Sequence, residues 1–184
     1  SNIHHFADDT NILFISKSLK EINRKINFDL KNISFWLRAN KIALNTSKTD
    51  IIIFRPKAKV ITKHLNFRIS GKHVTLSTKT KYLGLTLDEN LNFNNHLDNL
   101  KLKLNKANCL LSKIRHYVSH DVLKTIYHAL FESHLRYGCQ IWGQTSNLKL
   151  INLEKLQNKA LRILNFKGPL YSSNILYKET SIIK

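Results

Sequence analysis

Phe93, Leu97, Leu100, Leu104, Ala107, Leu111 and Ile114 follow one another at steps of four and three without a break. On a helix of about six turns that spacing makes one apolar stripe, which other elements must cover. Two further helices are predicted downstream. Ser119 is a suitable N-cap for the first, which is expected to bury Val122, Ile126, Ala129, Leu130 and Tyr137. The second is expected over residues 148–165, with Leu150, Leu153, Ala160 and Leu164 inward, stopped by Gly168-Pro169. Three helices with short connections make a small bundle over residues 91–167, leaving residues 168–184 as a tail.

The preceding ninety residues follow another pattern. Apolar runs at residues 3–6 and 12–15 flank Ala7-Asp8-Asp9-Thr10-Asn11, whose Asp and Asn favour turns, so a β-hairpin is expected. Ser18 and Glu21 then stand at capping-box spacing, and Leu19, Ile22, Ile26, Leu30, Ile33 and Leu37 repeat at helical steps for about five turns. Residues 50–55 are a β-branched run that predicts a buried strand ended by Pro56. Alternating segments on either side of Gly71-Lys72, and another at residues 81–87, predict antiparallel strands. The fold class is therefore α+β, with a boundary expected near residue 90.

Composition narrows the partners. Thirty Lys and Arg against 12 Asp and Glu give a net charge of +18, suited to a polyanion such as nucleic acid. Drift toward A/T-rich codons, which favour Lys, Asn and Ile, is the competing source of that charge. No apolar run approaches the roughly 20 residues that span a bilayer, and no secretory leader opens the chain, so a soluble nuclear or cytoplasmic protein is expected, with no membrane partner. Cys109 and Cys139 are too few for a disulfide scaffold and are expected to be reduced, buried thiols.

The chemistry centres on Phe6-Ala7-Asp8-Asp9, two adjacent carboxylates at a hairpin tip, which suit a hard divalent cation. In isolation an Asp pair in a turn is more often turn chemistry. With apolar strands on both sides, Phe6-Ala7-Asp8-Asp9-Thr10 resembles the catalytic hairpin of reverse transcriptases, in the form typical of non-LTR, jockey-type retrotransposons. Trp36-Leu37-Arg38-Ala39-Asn40-Lys41, with Leu44-Asn45 and Lys48-Thr49 after it, is similar to that family's next motif. Tyr82-Leu83-Gly84-Leu85 resembles its primer-grip hairpin, and residues 91–96 the approach to its thumb. Tyr137-Gly138-Cys139-Gln140-Ile141-Trp142 is similar to a signature further into the thumb. Together the motifs run from Phe6 to Trp142.

The resemblance implies a partial palm over residues 1–90, with an antiparallel palm-like sheet and one long helix, then a thumb-like three-helix bundle. It implies RNA-directed DNA polymerisation on an RNA template and a DNA primer with deoxynucleoside triphosphates. Two Mg²⁺ (or Mn²⁺) ions about 3.5 to 4 Å apart would carry the nucleotidyl transfer. Asp8 would bind metal directly and Asp9 would support it. Lys48 would reach the triphosphate, unless it is merely a solvated loop lysine, and Tyr82, Leu83 and Gly84 would grip the primer. Lys101, Lys103, Lys106, Lys113 and Arg115 are candidates for phosphate contacts, about half of them expected to serve solvation alone. Trp36 and Trp142 are expected to be core residues rather than base-stacking ones, and no metal role is expected of His4 or His5. The family's active site also uses a third carboxylate from a strand upstream of this hairpin. On the resemblance, that strand and the fingers lie outside this sequence, so this stretch alone is expected to be inactive. The alternative is a basic nucleic-acid-binding module without catalysis.

Overall fold

Residues 2–59, 61, 65–180 and 182 are described by the structure, a computed structural model. The chain divides into two units, Ser1–Thr80 and Lys81–Lys184.

In the first unit, β1 (Asn2–Phe6) and β2 (Asp9–Leu13) form an antiparallel hairpin joined by Ala7 and Asp8. Helix α1 (Leu19–Ala39) buries Ile26 and Leu30 against Phe67, Ile69 and Val74. The last three come from β3 (Phe67–Ile69) and β4 (Lys72–Val74), a second antiparallel pair. Its two-residue turn is Ser70-Gly71, one residue before the expected Gly71-Lys72, with φ of 50° and 82°, the left-handed conformation that a tight hairpin with native twist requires. Gly71 adopts it without strain; Ser70 is held by α1, where the Ser34 hydroxyl accepts its backbone N–H at 3.1 Å.

Four expectations change here. Residues 50–55 form no continuous strand: Ile51 makes a single parallel bridge to Leu76 and the rest is irregular. Among the described residues no ladder of neighbouring strands takes up their backbone groups, so β-propensity alone does not produce a strand. Ser18 is the N-cap residue of α1 but makes no side-chain cap. Instead its backbone N–H donates to Ser16 Oγ, and Ser16 donates to the Glu21 carboxylate, so the capping box is relayed through a third side chain. Trp36 is 56% exposed, because the inward stripe of α1 runs through Ile26, Leu30 and Ser34 and leaves Trp36 on another face. The strands form separate two-stranded hairpins among the described residues rather than one continuous sheet.

The second unit begins inside a third hairpin, β5 (Lys79–Tyr82) with β6 (Leu85–Asp88). The boundary expected near residue 90 thus falls at Thr80–Lys81, since Leu85 is buried in the helical core. Helix α2 (Asn94–Ile114) buries Leu97, Leu100, Leu104, Ala107 and Leu111, the stripe read from the sequence. It packs on α6 (Asn147–Leu164), which buries Leu153, Ala160, Leu161 and Leu164. The buried Asn108 amide reaches from α2 to the Leu156 carbonyl at 3.0 Å. Between them run α3 (His120–Tyr127), a π-helical turn (His128–Glu132), α4 (Ser133–Arg136) and α5 (Cys139–Trp142); the stretch expected as a tail from residue 168 instead forms α7 (Ser173–Thr180), whose Leu176 joins the core.

Ser119 caps α3 as expected, accepting the Val122 N–H. The inward face is displaced by one residue: Leu123, Tyr127 and Phe131 are fully buried, while Val122, Ala129, Leu130 and Tyr137 are exposed. The Tyr127 and Phe131 rings stack with centroids 5.3 Å apart and fill the core, which turns Leu123 inward one turn before them; the π turn, beginning at His128, breaks the 3.6-residue projection only for the residues beyond it. Cys109 and Cys139 are free, as expected, but both are exposed: each lies off the buried face of its helix.

Candidate active-site hairpin and nucleic-acid interface

The acidic pair is placed by the register of the first hairpin. Phe6 faces Asp9, so Ala7 and Asp8 alone form the turn and Asp9 opens β2. Ala7 sits at φ 51°, a left-handed value that costs a residue with a Cβ about 1–2 kcal/mol. The cross-strand ladder holds it there, reinforced by the hydrogen bond of His5 Nδ1 with Thr10 Oγ1 at 3.1 Å. His5 is thereby engaged across the strand pair. Asp8 and Asp9 are both exposed.

As donors, two carboxylates on a tight turn fit a Mg²⁺ ion that keeps several waters and takes its remaining ligands from phosphate oxygens. They do not complete a two-ion centre. Among the described residues no group of three or more His, Cys, Asp or Glu side chains is placed to hold a metal.

Lys48 ends a one-turn 3₁₀ helix, Thr46–Lys48. Asn45 builds that turn: its side-chain oxygen accepts from the Ser47 N–H and hydroxyl, and its carbonyl accepts from the Lys48 N–H and the Thr49 hydroxyl. The Lys48 side chain is exposed, and no hydrogen bond or ion pair joins it to Asp8 or Asp9 among the described residues.

In the second unit three sequence motifs meet. Leu83 and Gly84 form the turn between β5 and β6, with φ of 44° and 77°. Gly84 therefore lies in the turn rather than in a strand, and what approaches it closely is the Tyr137 ring: a Cβ on Gly84 would lie 3.2 Å from Tyr137 Cε1. The Tyr137 hydroxyl donates to the Leu83 carbonyl at 2.5 Å, and its own carbonyl accepts from Trp142 Nε1 at 2.9 Å. Trp142 is buried, as expected, with its ring 6.2 Å from that of His96. The His96 Nδ1 receives the Thr86 N–H at 3.4 Å, so the imidazole is neutral with its proton on Nε2; burial, and then the charge of Lys103, hold its pKa below the usual value. Asp88 closes the connection to α2, its carboxylate accepting from the N–H groups of Asn90, Asn92 and Phe93. Local periodicity does not reveal the contacts of Tyr137 with the Leu83-Gly84 turn, which join residues more than fifty positions apart.

Among the five basic candidates, Lys103, Lys106 and Lys113 are exposed. At about 100° per residue they fall within an arc of about 80° on the side of α2 away from its buried stripe. Lys101 is paired with Asp98 at 3.2 Å. Arg115 is held by His116 Nε2 at 3.0 Å and by the face of Phe166, 5.6 Å from the ring centre. Three of the five are thus presented outward and two are engaged locally.

In sequence, the chain matches a fragment of RNA-directed DNA polymerases of non-LTR retrotransposons. Over 163 residues, 86% of its length, it is 29% identical to a probable RNA-directed DNA polymerase from transposon X-element of Drosophila melanogaster. It is 26% identical over 161 residues to the RNA-directed DNA polymerase from mobile element jockey of the same fly, covering 85% of this chain. The chain spans only 18% and 17% of those two relatives. A retrovirus-related Pol polyprotein from a type-1 retrotransposable element R1 of Nasonia vitripennis is 28% identical over 156 residues, 74% of this chain and 40% of that relative. No family model and no solved structure matches the chain.

Proposed function

We propose that this chain is the catalytic hairpin, the remaining palm and the thumb of a reverse transcriptase, working within a longer polymerase on an RNA template and a DNA primer. The observation that carries the reading is the Ala7-Asp8 turn, which presents two consecutive carboxylates to solvent in a chain that matches RNA-directed DNA polymerases along most of its length. Asp8, at the tip, binds Mg²⁺ (or Mn²⁺) directly. Asp9, at the start of β2, contributes charge and hydrogen bonding beside it. The ion neutralises charge on the phosphoryl group of the incoming deoxynucleoside triphosphate. Lys48 supplies a cation to that triphosphate, and the Leu83-Gly84 turn contacts the primer. A third carboxylate and the fingers come from elsewhere in the longer protein, so this stretch alone does not polymerise.

The test is primer extension on an RNA template by the longer polymerase, with and without Asp8→Asn. Extension is expected to fall about a hundredfold or more, with duplex affinity unchanged. Undiminished extension would refute the assignment of Asp8. The second reading, a basic module that binds nucleic acid without chemistry, is favoured by the +18 charge. It predicts no extension by either form and the same duplex affinity for both.

A further inference from the structure

Leu83 occupies a position where Asn, Asp or Gly is usual, because both residues of such a turn take positive φ and a Cβ makes that costly. A single side chain, 54 residues away in sequence, compensates. The Tyr137 hydroxyl donates to the Leu83 carbonyl, and the Tyr137 ring occupies the space that a Cβ on Gly84 would enter. Tyr137 is fixed in turn. Its N–H donates to the Ser133 carbonyl at 3.1 Å, and its carbonyl holds Trp142. The next residue, Gly138, is left-handed, and a Cβ there would lie 2.9 Å from Leu85 Cδ2. Yet Tyr137 is 55% exposed, so burial does not account for a tyrosine at this position; phenylalanine would give the same ring contact and leave the Leu83 carbonyl without its donor.

We infer that Tyr137 is a positioning residue for the turn that contacts the primer, fixing the direction of the Leu83 carbonyl and the conformation of Gly84 so that the turn meets the 3′-terminal nucleotide of a recessed DNA strand in one geometry. This rests on the primer-contact reading of Tyr82, Leu83 and Gly84. Tyr137 itself touches the turn and not the nucleic acid.

The 184-residue chain with Tyr137→Phe separates the two. Two quantities are measured beside far-UV circular dichroism: the backbone amide resonances of Leu83, Gly84 and Leu85, and the affinity for two RNA–DNA duplexes of equal length, one with a recessed DNA 3′ end and one blunt. With the circular dichroism unchanged, the turn resonances are expected to shift. Affinity for the recessed duplex is expected to fall about fivefold, the scale of one lost hydrogen bond, while the blunt duplex binds as before. Unshifted turn resonances would overturn the role of Tyr137 and leave the primer-contact reading standing. Shifted resonances with no preferential loss on the recessed duplex would overturn the primer-contact reading, and the inference with it.

Discussion

Gly84 faces the ring of Tyr137, and Gly138, the next residue after that tyrosine, faces the side chain of Leu85, the next residue after Gly84. Each glycine therefore makes room for the other's neighbour, and each also needs a positive φ. Alanine at Gly138 would add two costs: a left-handed backbone with a Cβ, and a contact of 2.9 Å with a leucine that is buried and has little space to withdraw. Gly138→Ala is therefore expected to destabilise the chain by about 1–3 kcal/mol in denaturant unfolding. Gly168→Ala provides the control, since a Cβ there meets nothing within 4 Å and no positive φ is involved. Equal stability of the two variants would show that the Gly138 contact does not constrain the fold. The motif containing Gly138 was legible in the sequence as a signature; what it does was not, because its partner lies more than fifty residues earlier and no local spacing encodes the contact.

At the scale of elements, legibility tracked periodicity. The stripe from Phe93 to Ile114 marks α2, and the turn residues around Asp8 and Gly71 mark two hairpins, because each depends on neighbours within a few positions. The inward face of α3 lies one residue from the expected one because Val122 with Ile126 and Leu123 with Tyr127 offer two adjoining apolar faces between which spacing does not choose, and the stacked Tyr127 and Phe131 rings decide it. Residues 50–55 looked like a strand only because β-propensity does not say where a pairing partner stands. The first turn of α2 carries a pH dependence that follows from packing. His96 is held neutral by burial first and then by Lys103, and its Nδ1 receives the Thr86 N–H. Its folded pKa lies below the unfolded value of about 6.5, so the unfolded chain binds the extra proton first. Stability is therefore fully present above about pH 6.5 and is lost as the pH falls from there toward the folded pKa. His96→Gln should flatten that slope when unfolding free energy is measured between pH 7 and pH 5; an unchanged slope would show that other groups govern the acid limb.

For the whole molecule the question is whether a net charge of +18 serves binding or merely reflects composition. Charge spread over a surface by codon drift gives weak, diffuse attraction, whereas side chains set on phosphates release condensed counterions in proportion to the contacts made. The logarithm of duplex affinity falls against the logarithm of salt concentration with a slope of about −0.9 per phosphate neutralised, so the contacts can be counted. Lys103, Lys106 and Lys113 share the outward arc of α2, while Lys101 is paired with Asp98 and Arg115 with His116 and Phe166. Replacing the three outward lysines with glutamine should flatten the slope by about two to three and weaken binding to RNA–DNA duplexes of any sequence alike, since phosphate contacts carry no base information. Lys101→Gln should leave the slope where it was. If the triple variant and Lys101→Gln behave alike in a salt titration, the α2 face is ordinary solvated surface, and any duplex contacts must be sought on other basic faces of the chain.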